Sequence, residues 1–249
     1  MRFSPLANKW CVEFGAWDGK HLSNTFNLVE NSKYNVVLIE GDKSKFESLR
    51  RDYPYKDRAI VVGQFVGWTA DNNLDTILQT QESVPIDPDL LSIDVDGNDY
   101  HIWKACKKYR PKLVLIEFNP TSSNRFEYVQ PPDPHVNHSN SPSPLVKLGK
   151  EKGYELICVI GPNLLFVDAQ YFPLFGIPDN SLDVMRDDEE VTHLFIGFDG
   201  TVLVDGPADL RWHGRKLNIK QPFPRILRAY PPNYSRLQSV LYRLWNKLF

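Results

Sequence analysis

The chain is poor in cysteine and methionine and has no surplus of either charge. Its three cysteines, Cys11, Cys106 and Cys158, stand singly inside apolar segments. That spacing excludes a zinc cluster and a disulfide framework, and they read as reduced core residues. A formal net charge of -2 removes any global electrostatic case for nucleic acid. No apolar run approaches membrane-spanning length, and the N-terminus lacks a secretory pattern. The expected compartment is the cytoplasm. No internal repeat is visible. What remains is 249 residues, 42% hydrophobic and 24% charged, enough for a soluble domain with an extension.

Strand and helix patterns alternate from the start. Apolar strands are expected at 10–14, 35–40, 59–62, 90–95 and 112–117, with helices at 22–31, 43–51, from 74 and at 100–108. Strands this continuously apolar belong in a parallel sheet covered on both faces. Residues 119–144 then read as a long irregular connection rich in Pro, Ser and Asn, with Arg125, Phe126, Tyr128, His135 and His138 interspersed. After a helix at 144–152, strands 154–160 and 164–167 are joined by only Gly161-Pro162-Asn163, so they pair antiparallel. The expected fold is α/β. It is a doubly wound, Rossmann-like sheet of the methyltransferase class, with five parallel strands plus an antiparallel closing hairpin. This domain is placed at 1–170. A C-terminal extension at 171–249 carries a hairpin around Asp199-Gly200 and a terminal amphipathic helix.

The first strand ends in Val12-Glu13-Phe14-Gly15-Ala16-Trp17-Asp18-Gly19, and the second ends in Ile39-Glu40, twenty-one residues after Gly19. An acid, a glycine turn and a second acid form the layout of a nucleotide-cofactor site on a first βαβ unit. Glycine lets the backbone turn and approach a ligand. The acids in the turn would repel a pyrophosphate, which favours bare helix N-termini. They suit a ligand carrying an ammonium and a sulfonium, as S-adenosylmethionine does. Glu40 is then the ribose ligand.

These segments together resemble the FkbM-type family of S-adenosylmethionine-dependent methyltransferases. The matching residues are Val12 to Ala16 with Asp18-Gly19, Ile39-Glu40, Leu74-Asp75-Thr76-Ile77-Leu78, Leu91-Ser92-Ile93-Asp94-Val95-Asp96-Gly97, Ile116-Glu117, Gly153-Tyr154, and Asn163 to Val167. The resemblance covers about 10–168. It implies O-methylation of a small molecule or glycan. It departs from the family pattern at Asp96, where a glutamate is usual, and in having few residues before strand one.

The expected cofactor site is Glu13, Gly15, Ala16, Asp18, Gly19, Glu40 and Asp94, with Glu13 neutralising the methionine ammonium directly or through water. Asp96, Glu117 and His101, in that order, are the candidate bases for an acceptor hydroxyl. Asp94, Asp96, Glu117 and Asn119 also form an oxygen-rich set that Mg²⁺ would accept, although the preferred reading is metal-free. In that reading Asp94 and Asp96 organise the turn and the acceptor. The competing functions are a non-catalytic scaffold that keeps the fold, or another nucleotide-cofactor enzyme such as an NAD-dependent oxidoreductase. The terminal helix carries Arg236, Arg243 and Lys247 beside its apolar stripe. Docking on its own domain is preferred over peripheral membrane contact.

Overall fold

The computed structural model describes residues 7–188, 191–210, 214–216 and 218–248. The reading of the N-terminus rests partly on residues 1–6, which lie outside them. The chain divides into two units, Met1–Asp187 and Asp188–Phe249. The first unit runs past residue 170, adding a 3-10 segment, Ala169–Phe175, and a short helix, α6 (Leu182–Met185).

The first unit is a seven-stranded sheet. In chain order it contains β1 (Trp10–Phe14), α1 (Phe26–Ser32), β2 (Asn35–Ile39), α2 (Lys43–Asp52), β3 (Ala59–Val62), α3 (Leu74–Gln79), β4 (Leu90–Ile93), α4 (Asp99–Ala105), β5 (Leu113–Glu117), α5 (Pro142–Glu151), β6 (Tyr154–Ile160) and β7 (Asn163–Asp168). The spatial order is β3-β2-β1-β4-β5-β7-β6. Strands β1 to β5 are parallel, while β7 runs antiparallel to both β5 and β6. The hairpin therefore inserts its second strand between β5 and its first. This is the expected doubly wound sheet of five parallel strands closed by an antiparallel hairpin.

Alternation along each strand divides the core between two faces. Val12, Phe14, Val37, Ile39, Ile93 and Ile116 pack with Leu74, Ile102, Trp103 and Leu145, beneath α3, α4 and α5. Cys11, Val36, Leu38 and Leu90 pack with Val29, Leu49 and Tyr53, beneath α1 and α2. Cys11 and Cys106 are buried thiols, and their pKa values are pushed up by burial.

Element ends differ from expectation for identifiable reasons. α1 starts at Phe26 instead of residue 22, because Ser23, Asn24 and Thr25 are bonded to Glu13. α4 stops at Ala105, where the Asp75 carboxylate on α3 takes the amides of Lys107, Lys108 and Tyr109 at 2.6–3.1 Å. β2 and β4 each end one residue before their acid, leaving Glu40 and Asp94 in the loops beyond the sheet.

The connection from 118 to 141 has no helix or strand, yet it is tied down. Gln130 is 1% exposed, accepts the amides of His138 and Ser139, and donates to the Val136 carbonyl. Buried Asn140 reaches the Gly97 carbonyl at 2.8 Å.

The second unit contains an antiparallel hairpin, β8 (His193–Ile196) with β9 (Val202–Asp205), and a small ladder, β10 (Asp209–Leu210) with β11 (Arg215–Lys216). It ends in α7, Arg236–Leu248. The β8–β9 turn contains Asp199-Gly200 as expected, with Gly200 at φ +77°. Among the described residues no helix is long and apolar enough to cross a membrane.

Candidate active site at the strand ends

β1 and β4 are neighbours, but β1 leads outward to β2 while β4 leads to β5. The carboxyl ends at such a switch point form the ligand crevice of an open α/β sheet. Gly15 is where the two ends meet. At φ +73°, a Cβ there would lie 2.0 Å from the Asp94 carbonyl oxygen. Gly19 also has a positive φ, and a Cβ on it would strike the Tyr53 ring and Leu49. Ala16 is buried in the same cluster. Gly15, Ala16 and Gly19 thus set the course of the loop.

The acids of this loop are already engaged. Glu13 is 4% exposed. It accepts the hydroxyls of Ser23 (2.7 Å) and Thr25 (2.5 Å) and the amide of Asn24 (2.8 Å). Burial pushes its pKa up, against these hydrogen bonds. Glu13 is a strut that holds the 23–25 turn to β1, so the expected contact with the ammonium, direct or through water, competes with these hydrogen bonds. Asp18 caps its own turn through the amides of Lys20 and His21. Glu40 accepts the Trp17 amide on one oxygen and the Asp42 amide on the other, both at 2.8 Å. Each oxygen keeps a second lone pair for a ligand hydroxyl.

Two exposed aromatics stand close to Glu40. The Phe65 ring lies over Gly41, where a Cβ would come within 2.3 Å of it. Trp17 carries one of the two amides on Glu40 and is held at φ +46°.

The carboxylates after β4 and β5 converge. Asp94, Asp96 and Glu117 each place an oxygen within 4.8 Å of the others. Asp94 and Glu117 hydrogen-bond to one another. Burial raises both pKa values, with Asp96 adding to the rise of Asp94 and Asp94 adding to that of Glu117, so the pair retains a proton near neutrality. Among the described residues no Lys or Arg forms an ion pair with any of the three.

The other expected site residues lie elsewhere. The Asn119 side-chain oxygen accepts the Thr121 amide and hydroxyl, and its nitrogen donates to the His138 carbonyl. Its oxygen is thus committed to its own turn. His101 stands 2.7 Å from the Gln130 carbonyl and beside Trp68. It ties α4 to the long connection. The turn expected to depend on Asp94 and Asp96 is held by Asp99. That carboxylate is fully buried, accepts the amides of Val95 (3.0 Å) and Gly97 (2.9 Å), and is pushed up to about 7 by burial. Asp96 stays exposed at φ +57°.

Sequence reasoning missed Trp17, Phe65, Asp99 and Asn163. Asn163 sits opposite Glu117 in the β5–β7 register, on the same side of the sheet. Its side-chain oxygen is buried without a hydrogen-bond partner. Its position just after a tight Gly-Pro turn was the available signal. Beside Asn119 lies a groove of about 430 Å³, lined by Ser122, Phe126, Tyr128, Asn137 and His138, with no acidic, lysine or arginine side chain.

No protein-family model matches the chain, and no curated protein matches it. Solved structures do. One is described as PigF with SAH, at 14% identity and TM-score 0.41, covering 64% of this chain and 50% of that one. Another is an O-methyltransferase family protein from Burkholderia thailandensis, at 10% identity and TM-score 0.42, covering 64% and 50%. A third is M. jannaschii TYW2 in complex with AdoMet, at 13% identity and TM-score 0.36, covering 65% and 68%. The chain spans about half the length of PigF. At these scores the likeness says nothing of what this chain does.

Proposed function

We propose that the chain is an S-adenosylmethionine-dependent methyltransferase of the FkbM type, acting on an oxygen of a small molecule or glycan. One observation carries this reading. Three mutually close carboxylates stand at the switch point of the sheet without a cationic partner among the described residues. Such a site attracts a cation and repels a pyrophosphate. An ammonium and a sulfonium fit it; a dinucleotide does not. When bound, S-adenosylmethionine would supply a methyl group already activated on sulfur.

The chain's own residues would do the rest. Glu40 offers a lone pair on each oxygen to the two ribose hydroxyls. Trp17 and Phe65 offer exposed aromatic surface in the same loops. Asp94, ionised while Glu117 keeps the shared proton, takes the proton of an acceptor hydroxyl. Alignment supplies the larger part of the rate in a displacement of this kind. The groove beside Asn119 forms the acceptor wall.

A non-catalytic scaffold has one observation in its favour: Glu13, expected to meet the cofactor, is already engaged by Ser23, Asn24 and Thr25. Calorimetry separates the readings. S-adenosylhomocysteine should bind and NAD should not. Absence of binding by S-adenosylmethionine and S-adenosylhomocysteine would leave the scaffold.

A further inference from the structure

Charge is unevenly distributed along this nearly neutral chain. Nine of its 29 Lys and Arg residues, and none of its 31 Asp and Glu, fall in residues 210–249. Charge asymmetry of this degree marks a segment that meets an anionic surface.

The geometry of α7 shows which kind. A reciprocal capping box starts the helix: Ser235 Oγ accepts the Gln238 amide, and Gln238 Oε1 accepts the Ser235 amide. One face is held to the rest of the second unit. Gln238 donates to the Ile226 carbonyl at 2.9 Å, and the Tyr242 ring packs against Phe223 and Tyr234. At about 100° per residue, Leu237, Leu244 and Leu248 form a stripe on a different face. They are 63%, 53% and 77% exposed, with Val240 at its edge 50% exposed. Arg236, Arg243 and Lys247 form a second stripe along the other side of these leucines. Ile226, also exposed, follows exposed Arg225 next to the helix.

We propose that α7 and its flank are a docking surface for an anionic lipid membrane. The leucine stripe enters the boundary between headgroups and acyl chains. The flanking basic side chains extend to the lipid phosphates. Nucleic acid fits less well: it would use the basic stripe but leave the leucines in water. This surface is independent of the methyltransferase reading, since it uses none of the strand-end residues.

The test is sedimentation of the full chain with vesicles. One set is phosphatidylcholine with roughly a third phosphatidylglycerol; the other is phosphatidylcholine alone. Binding to the anionic set should exceed binding to the neutral set at least tenfold, and should fall as salt shortens the screening length. Arg243→Gln with Lys247→Gln should cut the anionic partition roughly thirtyfold. Leu237→Gln with Leu244→Gln should abolish it, while circular dichroism remains that of the parent because the Gln238–Tyr242 face is untouched. No vesicle binding, binding indifferent to the leucines, or tighter binding to a DNA duplex than to vesicles would each overturn the proposal. Calorimetry with S-adenosylhomocysteine on the same variants should be unchanged.

Discussion

Asp94 and Glu117 hydrogen-bond carboxyl to carboxyl, from the ends of neighbouring parallel strands. Two acids so placed cannot both ionise cheaply, and burial adds to the cost. The consequence is a pH dependence of known sign. Unfolded, Glu117 releases its proton near the ordinary 4.5; folded, it does so at about 9. Between those values the native state binds more protons, so stability falls as pH rises through the window. Glu117→Gln removes the step. Relative to the parent, the variant should gain at least about 1 kcal/mol on going from about pH 5 to about pH 9. Urea unfolding at both pH values measures it, and parallel profiles for the two proteins would refute the shared proton.

Glu40 has two roles that one pair of substitutions separates. Glu40→Ala leaves the Trp17 and Asp42 amides without their acceptor and removes the ribose partner. Unfolding should cost about 1–3 kcal/mol less than in the parent, and S-adenosylhomocysteine binding should weaken by about 1.5–3 kcal/mol. Glu40→Gln keeps one acceptor oxygen, so it should recover part of the stability and less of the affinity. Calorimetry showing parent-like affinity in both variants would remove Glu40 from the ribose site.

The long connection should be protected in the ligand-free protein. Length and composition suggest a loop that orders only around an acceptor, but Gln130 closes it from inside. Amides of His138 and Ser139 should exchange slowly. Gln130→Ala should speed their exchange and cost about 1–3 kcal/mol of stability, the penalty for stranding buried partners. Fast exchange of both amides in the parent would show that the network does not persist in solution.

Mg²⁺ should bind weakly at the strand ends. The three carboxylates converge, yet the oxygen of Asn119 is committed to Thr121, and Glu117 holds a proton that a metal would have to displace. Titration with Mg²⁺ at neutral pH should leave the melting temperature unchanged. Once an acceptor is found, turnover should survive EDTA. A rise in melting temperature that Glu117→Gln abolishes would make these residues metal ligands.

Much of the fold was legible because its strands are buried on both faces. Val36-Val37-Leu38-Ile39 admits no other comfortable place than a covered parallel sheet, and the short Gly-Pro-Asn link forces β6 and β7 to be antiparallel. The acids were legible as a row but not by their roles. A carboxylate in the loop after a strand looks the same in sequence whether it stays exposed, like Asp96, or holds a backbone turn, like Asp99. The partners of Glu13 lie ten to twelve residues downstream, and no local periodicity marks them. His101 was placed correctly in the first turn of α4. Its real partner, the Gln130 carbonyl, is set by a connection with no regular pattern.

The position of β7 also fixes an order of assembly. It is the last strand of the sheet to be synthesised, yet it lies inside it. Until residues 163–168 leave the ribosome, β6 has no neighbour and β5 is an open edge, with the Leu113–Glu117 ladder unpaired. An unpaired edge is a template for wrong pairing. The nascent chain should therefore be most prone to aggregate in the interval between completion of β5 and arrival of β7. A translational pause placed there would lengthen that exposure; the same pause after residue 168 would not.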